Sequence, residues 1–193
     1  MDTILNIFSA FGLSASAGLN AYIPLLIVAL LGRFTDLIKL AEPWDALTSW
    51  WTIGLLVVLS LIEFFADKIP AVNHINDAVQ TFIRPAAGAI LFAASAKAIT
   101  DIHPILSLGL GLLVSGGVHT VKSAAVRPAV TATTGGAGNV PVSILEDVVS
   151  TALSIAAVVV PVIIACVLIL FTAWIIYRAF FPQKPAHRPR SRL

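Results

Sequence analysis

The chain has 193 residues, 58% of them hydrophobic and 11% charged, with a formal net charge of +2. A soluble domain carries about 25% charged residues, and the mean hydropathy here is +0.95. The composition is that of an integral membrane protein and leaves no room for a soluble domain. A single cysteine, Cys166, excludes an internal disulfide and argues against a thiolate metal site.

The pattern predicts an all-α, polytopic fold with roughly six spans of about 20 residues. The start, Met1-Asp2-Thr3, has no basic region, so the first segment reads as an uncleaved span. That segment covers residues 4–31 and is interrupted at 14–20, with Pro24 just beyond. A nearly neutral loop follows, with Arg33, Asp36, Lys39, Glu42 and Asp45. Its Trp44, with Trp50 and Trp51 beyond it, suits an aromatic belt at headgroup level. Segment two covers 51–66 and ends at Asp67-Lys68-Ile69-Pro70. In 72–84, Ile75, Val79, Phe82 and Ile83 recur at helical spacing, which predicts a short interfacial helix. Pro85 then opens segment three, to about residue 100. Segment four, 104–134, is interrupted at 115–120 and ends in the glycine-rich loop 135–139. Segment five runs from Pro141 to 160, and Pro161 separates it from segment six, which closes at Tyr177-Arg178.

The interruptions at 16–22 and 115–121 share a register of 99 residues, which pairs Ser16 with Ser115, Asn20 with His119 and Gly12 with Gly111. Lipid cannot satisfy freed backbone groups, so such breaks persist only where protein or a watery cavity covers them. Paired breaks in two halves of a membrane protein point to a central binding site, and three segments per half would invert the second copy. The expected division is a first repeat 1–101, a second repeat 102–180 and a basic tail 181–193. Each broken helix either spans or re-enters. Arg178, Lys184, Arg188, Arg190 and Arg192 follow the last span, so the C-terminus is expected in the cytoplasm, and with six spans the N-terminus too. The expected location is the inner (plasma) membrane.

A charge within a span costs about 2.5–3.5 kcal/mol on insertion scales, so each needs a reason. At 100° per residue, Thr120, Arg127, Thr131 and Thr134 share an arc of about 60°, with His119 and Lys122 on the adjoining face. That stripe reads as the lining of a polar path. In the plainer reading, its hydroxyls bond between helices and Arg127 pairs with Glu63 or Glu146. Glu63 lies one turn after Ser60 and one turn before Asp67. Glu146-Asp147 also fits dipole complementarity in a helix capped by Asn139 or Ser143, worth about 0.3–1 kcal/mol. Asp67-Lys68 reads as a solvated helix end. Arg84-Pro85-Ala86 and Arg127-Pro128-Ala129 each predict a bend. There is no closely spaced set of metal ligands, no phosphate-cradling loop and no nucleophile elbow, so no metal, cofactor or enzymatic activity is expected.

Several motifs carry a resemblance. They are the run 14–26 (SASAGLNAYIPLL), 63–70 (EFFADKIP), 82–88 (FIRPAAG), and the series His119, Lys122, Arg127, Gly138-Asn139, Ser143 and Glu146-Asp147. Together they resemble a bacterial membrane-protein family catalogued as domain of unknown function 4126. That resemblance implies neither a substrate nor a fold. Glu63, Asp67 and Lys68 also look like the Glu-x-Gly-Asp-Lys signature of inverted-repeat cation exchangers, with one residue more between the acids and no glycine.

The reading that unites these features is a small transporter or channel-like carrier. Its expected ion- or substrate-binding set is Asn20, Glu63, His119, Lys122, Arg127, Thr131, Glu146 and Asp147, with Asp67, Arg84 and Asn139 secondary. Asn20 and His119 would orient by hydrogen bonds, Lys122 and Arg127 would face an anionic group, and Glu63 and Glu146 would couple an ion or proton. Expected partners are the lipid bilayer, a small ion or anionic solute or lipid headgroup, and a second copy of the chain, with no nucleic acid. The alternative is a non-transporting scaffold whose charges are structural pairs.

Overall fold

The computed structural model describes residues 2–97 and 102–180. Among the described residues the structure is helical, with no strand. The helices are α1 (Asp2–Leu19), α2 (Tyr22–Phe34), α3 (Trp50–Ala66), α4 (Pro70–Lys97), α5 (Pro104–Val121), α6 (Arg127–Thr134) and α7 (Asn139–Phe180). A 3-10 turn, Trp44–Thr48, leads to α3, whose N-cap Ser49 accepts from the Thr52 amide. A π turn, Lys122–Val126, joins α5 to α6. The repeat boundary at 101 and the tail 181–193, with its orientation argument, lie outside the described residues.

The molecule is apolar outside and polar inside. Trp51, Leu55, Phe82, Ile105, Leu113 and Leu145 are exposed, whereas Glu63, Asp67, Arg84, Lys122 and five serines of α1 and α7 are buried. A soluble protein does the reverse. Three helical stretches are long and apolar enough to cross a membrane: Ile75–Ala96, Pro104–Thr134 and Asn139–Val160. This is a membrane protein. Helices α2 and α3 are apolar but have only 13 and 17 residues, fewer than the roughly 20 a span needs.

Helix α1 is the axis of the bundle, packing against α4, α5 and α7. Without a hydrophobic drive between helices in lipid, small residues and hydroxyls make the contacts. A Cβ on Gly12 would sit 2.8 Å from the Ala157 Cβ. Ser14 Oγ donates to the Gly88 carbonyl at 2.8 Å, and Ser16 Oγ donates to the Ser150 carbonyl at 2.8 Å. On the other side, Gly111 of α5 lies against Gly88 of α4, and Ser115 Oγ donates to the Arg84 carbonyl at 2.7 Å.

Three expected breaks are absent. Helix α4 runs through Pro85, so the interfacial helix and segment three are one element. Proline costs one helical hydrogen bond, but neighbouring side chains can hold the affected backbone. The carbonyl that loses its donor is that of Thr81, while the Ser115 hydroxyl adds a bond to the neighbouring Arg84 carbonyl and holds α5 against α4 at this turn. Helix α5 is continuous across 115–121, where its glycines allow close approach without opening the helix. The irregularity falls a few residues later, in the π turn. Helix α7 passes Pro161 without interruption over 42 residues, so the expected fifth and sixth segments form one helix. Helix α6 stops at Gly135 and Gly136, whose φ angles of 62° and 91° favour glycine.

Candidate functional site

The first interruption falls at the far edge of the stretch 14–20 that the sequence marks: α1 stays helical through Leu19 and the chain breaks at Asn20 and Ala21. Asn20 Oδ1 accepts from the amides of Tyr22 (3.1 Å) and Ile23 (3.0 Å), which caps α2. Its Nδ2 donates to Asp147 Oδ1 at 3.0 Å, tying the hinge to α7. The last carbonyl of α1, on Leu19, accepts from Lys122 Nζ at 2.9 Å. A Cβ on Gly18 would sit 2.6 Å from the Ser115 carbonyl. The end of α1 thus meets α5 and the π turn in the interior.

The π turn determines which side chains share that interior. On a regular helix Lys122 and Arg127 would point about 140° apart, at 100° per residue. A π turn bonds residue i to i+5, and the Arg127 amide does bond the Lys122 carbonyl. Both cations therefore face the same carboxylates. Arg127 keeps helical φ and ψ although it precedes Pro128. The missing proline N–H falls where the hydrogen-bond ladder is already irregular.

Five carboxylates and four cations meet there: Glu63, Asp67, Asp77, Glu146 and Asp147 against Lys68, Arg84, Lys122 and Arg127. Arg84 is 0% exposed, Glu63 1%, Lys122 3%, Asp67 4% and Arg127 8%, so this is an interior network. Asp67, in the turn after α3, is its hub. Its Oδ1 accepts from Asn76 Nδ2 at 2.6 Å, and its Oδ2 accepts from Arg127 Nη2 at 3.0 Å and Ser143 Oγ at 3.3 Å. Arg84 Nη2 and Lys122 Nζ lie 3.7 and 3.9 Å from the same Oδ2. Glu146 Oε2 binds Lys122 Nζ at 2.8 Å and Arg127 Nη2 at 3.3 Å. Arg127 Nη1 reaches Asp77 Oδ2 at 3.3 Å. Arg84 donates twice to Glu63 Oε1, from Nη2 at 2.9 Å and from Nε at 3.3 Å. Asp147 takes Lys68 Nζ at 3.2 Å beside its bond from Asn20.

Burial alone would push the Asp67 carboxyl upward, but Lys122, Arg127 and Arg84 outweigh it and hold the group below the usual carboxylate range. A carboxyl held low in the folded state contributes stability that is present above its unfolded value and lost as pH falls through the folded one. Asp67→Asn should therefore melt lower than wild type at neutral pH. The gap should begin to close only as pH falls below about 4, the ordinary aspartate value, and should close fully only below the lower folded one. Detergent melting temperatures across an acid series check this, and parallel curves would refute it.

His119 joins through Arg84, whose Nη1 donates to Nδ1 at 3.3 Å. Its hydrogen then belongs on Nε2, which donates to Thr81 Oγ1 at 3.1 Å. A cavity of about 290 Å³ adjoins it, lined by Thr81, Pro85, Leu112, Gly116 and Thr120. A larger apolar cleft of about 600 Å³ opens beside Lys122 and Glu146, between α1, α5 and α7. Among the described residues, no group of three or more His, Cys, Asp or Glu side chains is placed to hold a metal ion.

Of the residues picked from sequence, Asn20, Glu63, Asp67, Arg84, His119, Lys122, Arg127, Glu146 and Asp147 come together. Thr131 and Asn139 do not. They bond each other at 3.0 Å across the glycine-rich loop, as an exposed clasp between α6 and α7. Thr120, Thr131 and Thr134 are all exposed, so the hydroxyl stripe lines no path through the network. Thr120 is separated from Arg127 by the π turn, and α6 beyond Arg127 runs clear of the packed helices. Lys68 is no solvated helix end, since it pairs with Asp147. Sequence reasoning passed over Asn76, Asp77 and Gln80. Their spacing with Arg84 (76, 77, 80, 84) is a polar stripe at helical period, a signal that was available.

No curated protein and no solved structure matches the chain. A family model described as "Domain of unknown function (DUF4126)" matches residues 7–180. A chain matched over nearly its whole length, with its network wholly inside the match, belongs to that family.

Proposed function

We propose that this protein is a small, non-enzymatic membrane carrier for a small cation. The site is the buried network where α1, the α3–α4 turn, the π turn and α7 meet. The observation that carries the reading is the balance of this network. Carboxylates outnumber cations five to four, each of the four cations is bonded to a carboxylate, and among the described residues the buried side-chain atoms left without a hydrogen-bond partner are all oxygens (Ser60 Oγ, Glu63 Oε2, Asp77 Oδ1 and Gln80 Oε1). Such a surplus of acceptors favours a cation over an anionic solute or lipid phosphate. Ionisable groups kept inside a membrane protein mark ion pathways by default. The contacts of α1 and α5 support the inverted-repeat expectation: Gly12 packs on α7 as Gly111 does on α4, and Ser16 bonds a carbonyl of α7 as Ser115 bonds one of α4. In this reading the protein sits in the plasma membrane, and the even span count that would put both termini in the cytoplasm no longer follows once segments five and six are one helix.

The second reading, a non-transporting scaffold, is favoured by one observation. Lys122 and Lys68 each also hold a carbonyl near a helix C-terminus, Leu19 O and Phe64 O, so they act as struts. Proteoliposome flux over protons, sodium, potassium, phosphate and labelled lipid separates the two. The carrier should move a cation, and Glu146→Gln should slow it at least tenfold. Flux of an anion only, or of nothing, refutes the cation reading.

A further inference from the structure

We propose that Glu63 holds a proton as a neutral carboxylic acid, its Oε2–H donated to Gln80 Oε1, and that this proton is the ion the carrier moves or couples to. The assignment of the proton rests on two buried oxygens without partners, Glu63 Oε2 and Gln80 Oε1. Its role as transported or coupling ion rests on the carrier reading above.

Glu63 Oε1 is fully used by its two bonds from Arg84, while Oε2 is buried without a partner. Gln80 precedes Arg84 by one turn of α4, is 2% exposed, and its Oε1 is likewise buried without a partner. The Tyr22 phenol, from α2, lies near Gln80 and within the field of Glu63. Ser60 Oγ, one turn before Glu63 on α3, is a third buried oxygen without a partner. A carboxylate oxygen and an amide oxygen are both acceptors and cannot bond each other. One proton on Oε2 turns one of them into a donor and satisfies both.

The charge count agrees, because protonating one carboxylate leaves four carboxylates facing four cations. The charged and titratable groups facing Glu63 are Tyr22 from α2, Asp67 from its own turn, Arg84 from α4 and Lys122 from the π turn. A metal cation would have to sit against the Arg84 guanidinium, which fits a proton better than sodium. The exchange is a simple one. Water delivers the proton to Oε2 and takes it back, with no covalent bond to carbon changed.

Infrared spectroscopy of the full chain in lipid bilayers, over a pH series in light and heavy water, tests this. Wild type should show a carboxylic-acid C=O band that is lost in Glu63→Gln. The band should move in Gln80→Met and titrate at lower pH there, because the neutral form loses its acceptor. Glu63→Gln should melt like wild type, since its amide oxygen keeps Arg84 and its NH2 replaces the O–H, yet proton uptake by proteoliposomes should vanish. No Glu63 carboxylic-acid band at any pH overturns the proposal and leaves Gln80 with its amide turned to donate. A band without any wild-type flux supports the proton seat and sinks the carrier reading. A band with flux indifferent to pH and to Glu63→Gln overturns the coupling role.

Discussion

Arg127→Ala should destabilise the protein by about 3–5 kcal/mol, the cost of breaking a buried ion pair by removing one partner. Arg127 is 8% exposed and bridges Asp67 at 3.0 Å, Asp77 at 3.3 Å and Glu146 at 3.3 Å. Among the described residues no other cation spans all three carboxylates, which come from the α3–α4 turn, α4 and α7. Arg127→Lys should recover only part of the loss. An ammonium keeps the charge but lacks the planar fork that serves two carboxylates at once. Combining Arg127→Ala with Glu146→Gln should recover some stability by removing one of the stranded charges. Unfolding in detergent or nanodiscs measures each step. A single variant that melts like wild type would show that Arg127 bridges nothing of consequence.

Gly111→Val should be the most damaging change away from the charges. A Cβ there would run into the Gly88 carbonyl, and it would lie 2.6 Å from the Phe92 Cβ and 2.7 Å from the Ala89 Cα. Those obstacles are mostly backbone of α4, which cannot move aside like the end of a flexible side chain. Overpacking of this kind costs typically about 1–3 kcal/mol, and with backbone on the far side the upper end is expected. Gly109→Ala is the control. Nothing lies within 4 Å of its Cβ, so it should be neutral or gain about 0.5–1 kcal/mol from the lower helix cost of alanine. Melting temperatures of the two variants should move in opposite directions or differ by several degrees. Equal values would mean that α4 and α5 do not cross at these glycines.

The membrane class and the hinge at Asn20 were legible because each rests on local chemistry: composition in one case, and in the other a short polar side chain that caps its own helix. Most of the buried network was legible for a related reason, since an ionisable residue in an apolar run needs a partner whatever the fold. The companions of Arg127 were only partly readable. Glu146 is a partner, as expected, but the sequence points to neither Asp67, which reads as a solvated helix end, nor Asp77, which falls in the expected interfacial helix 72–84 ahead of a helix start at Pro85. Once α4 runs through Pro85, Asn76, Asp77 and Gln80 turn inward with Arg84. The threonine stripe failed through its assumption of a constant 100° per residue across 120–134. The uninterrupted α7 has the same cause as the uninterrupted α4: proline weakens a helix, but packing and lipid both penalise opening it.

The π turn at Lys122–Val126 also links the shape of the backbone to the charge layout. It stores one residue of slack in a helix that would otherwise be taut. With the slack in place, Lys122 and Arg127 stand together over Glu146 and Asp67. Drawn out into regular helix, the same segment would turn the two cations about 140° apart and leave those carboxylates sharing one cation in place of two. The winding of a few peptide units is therefore a coordinate along which the interior charge balance shifts by one cation.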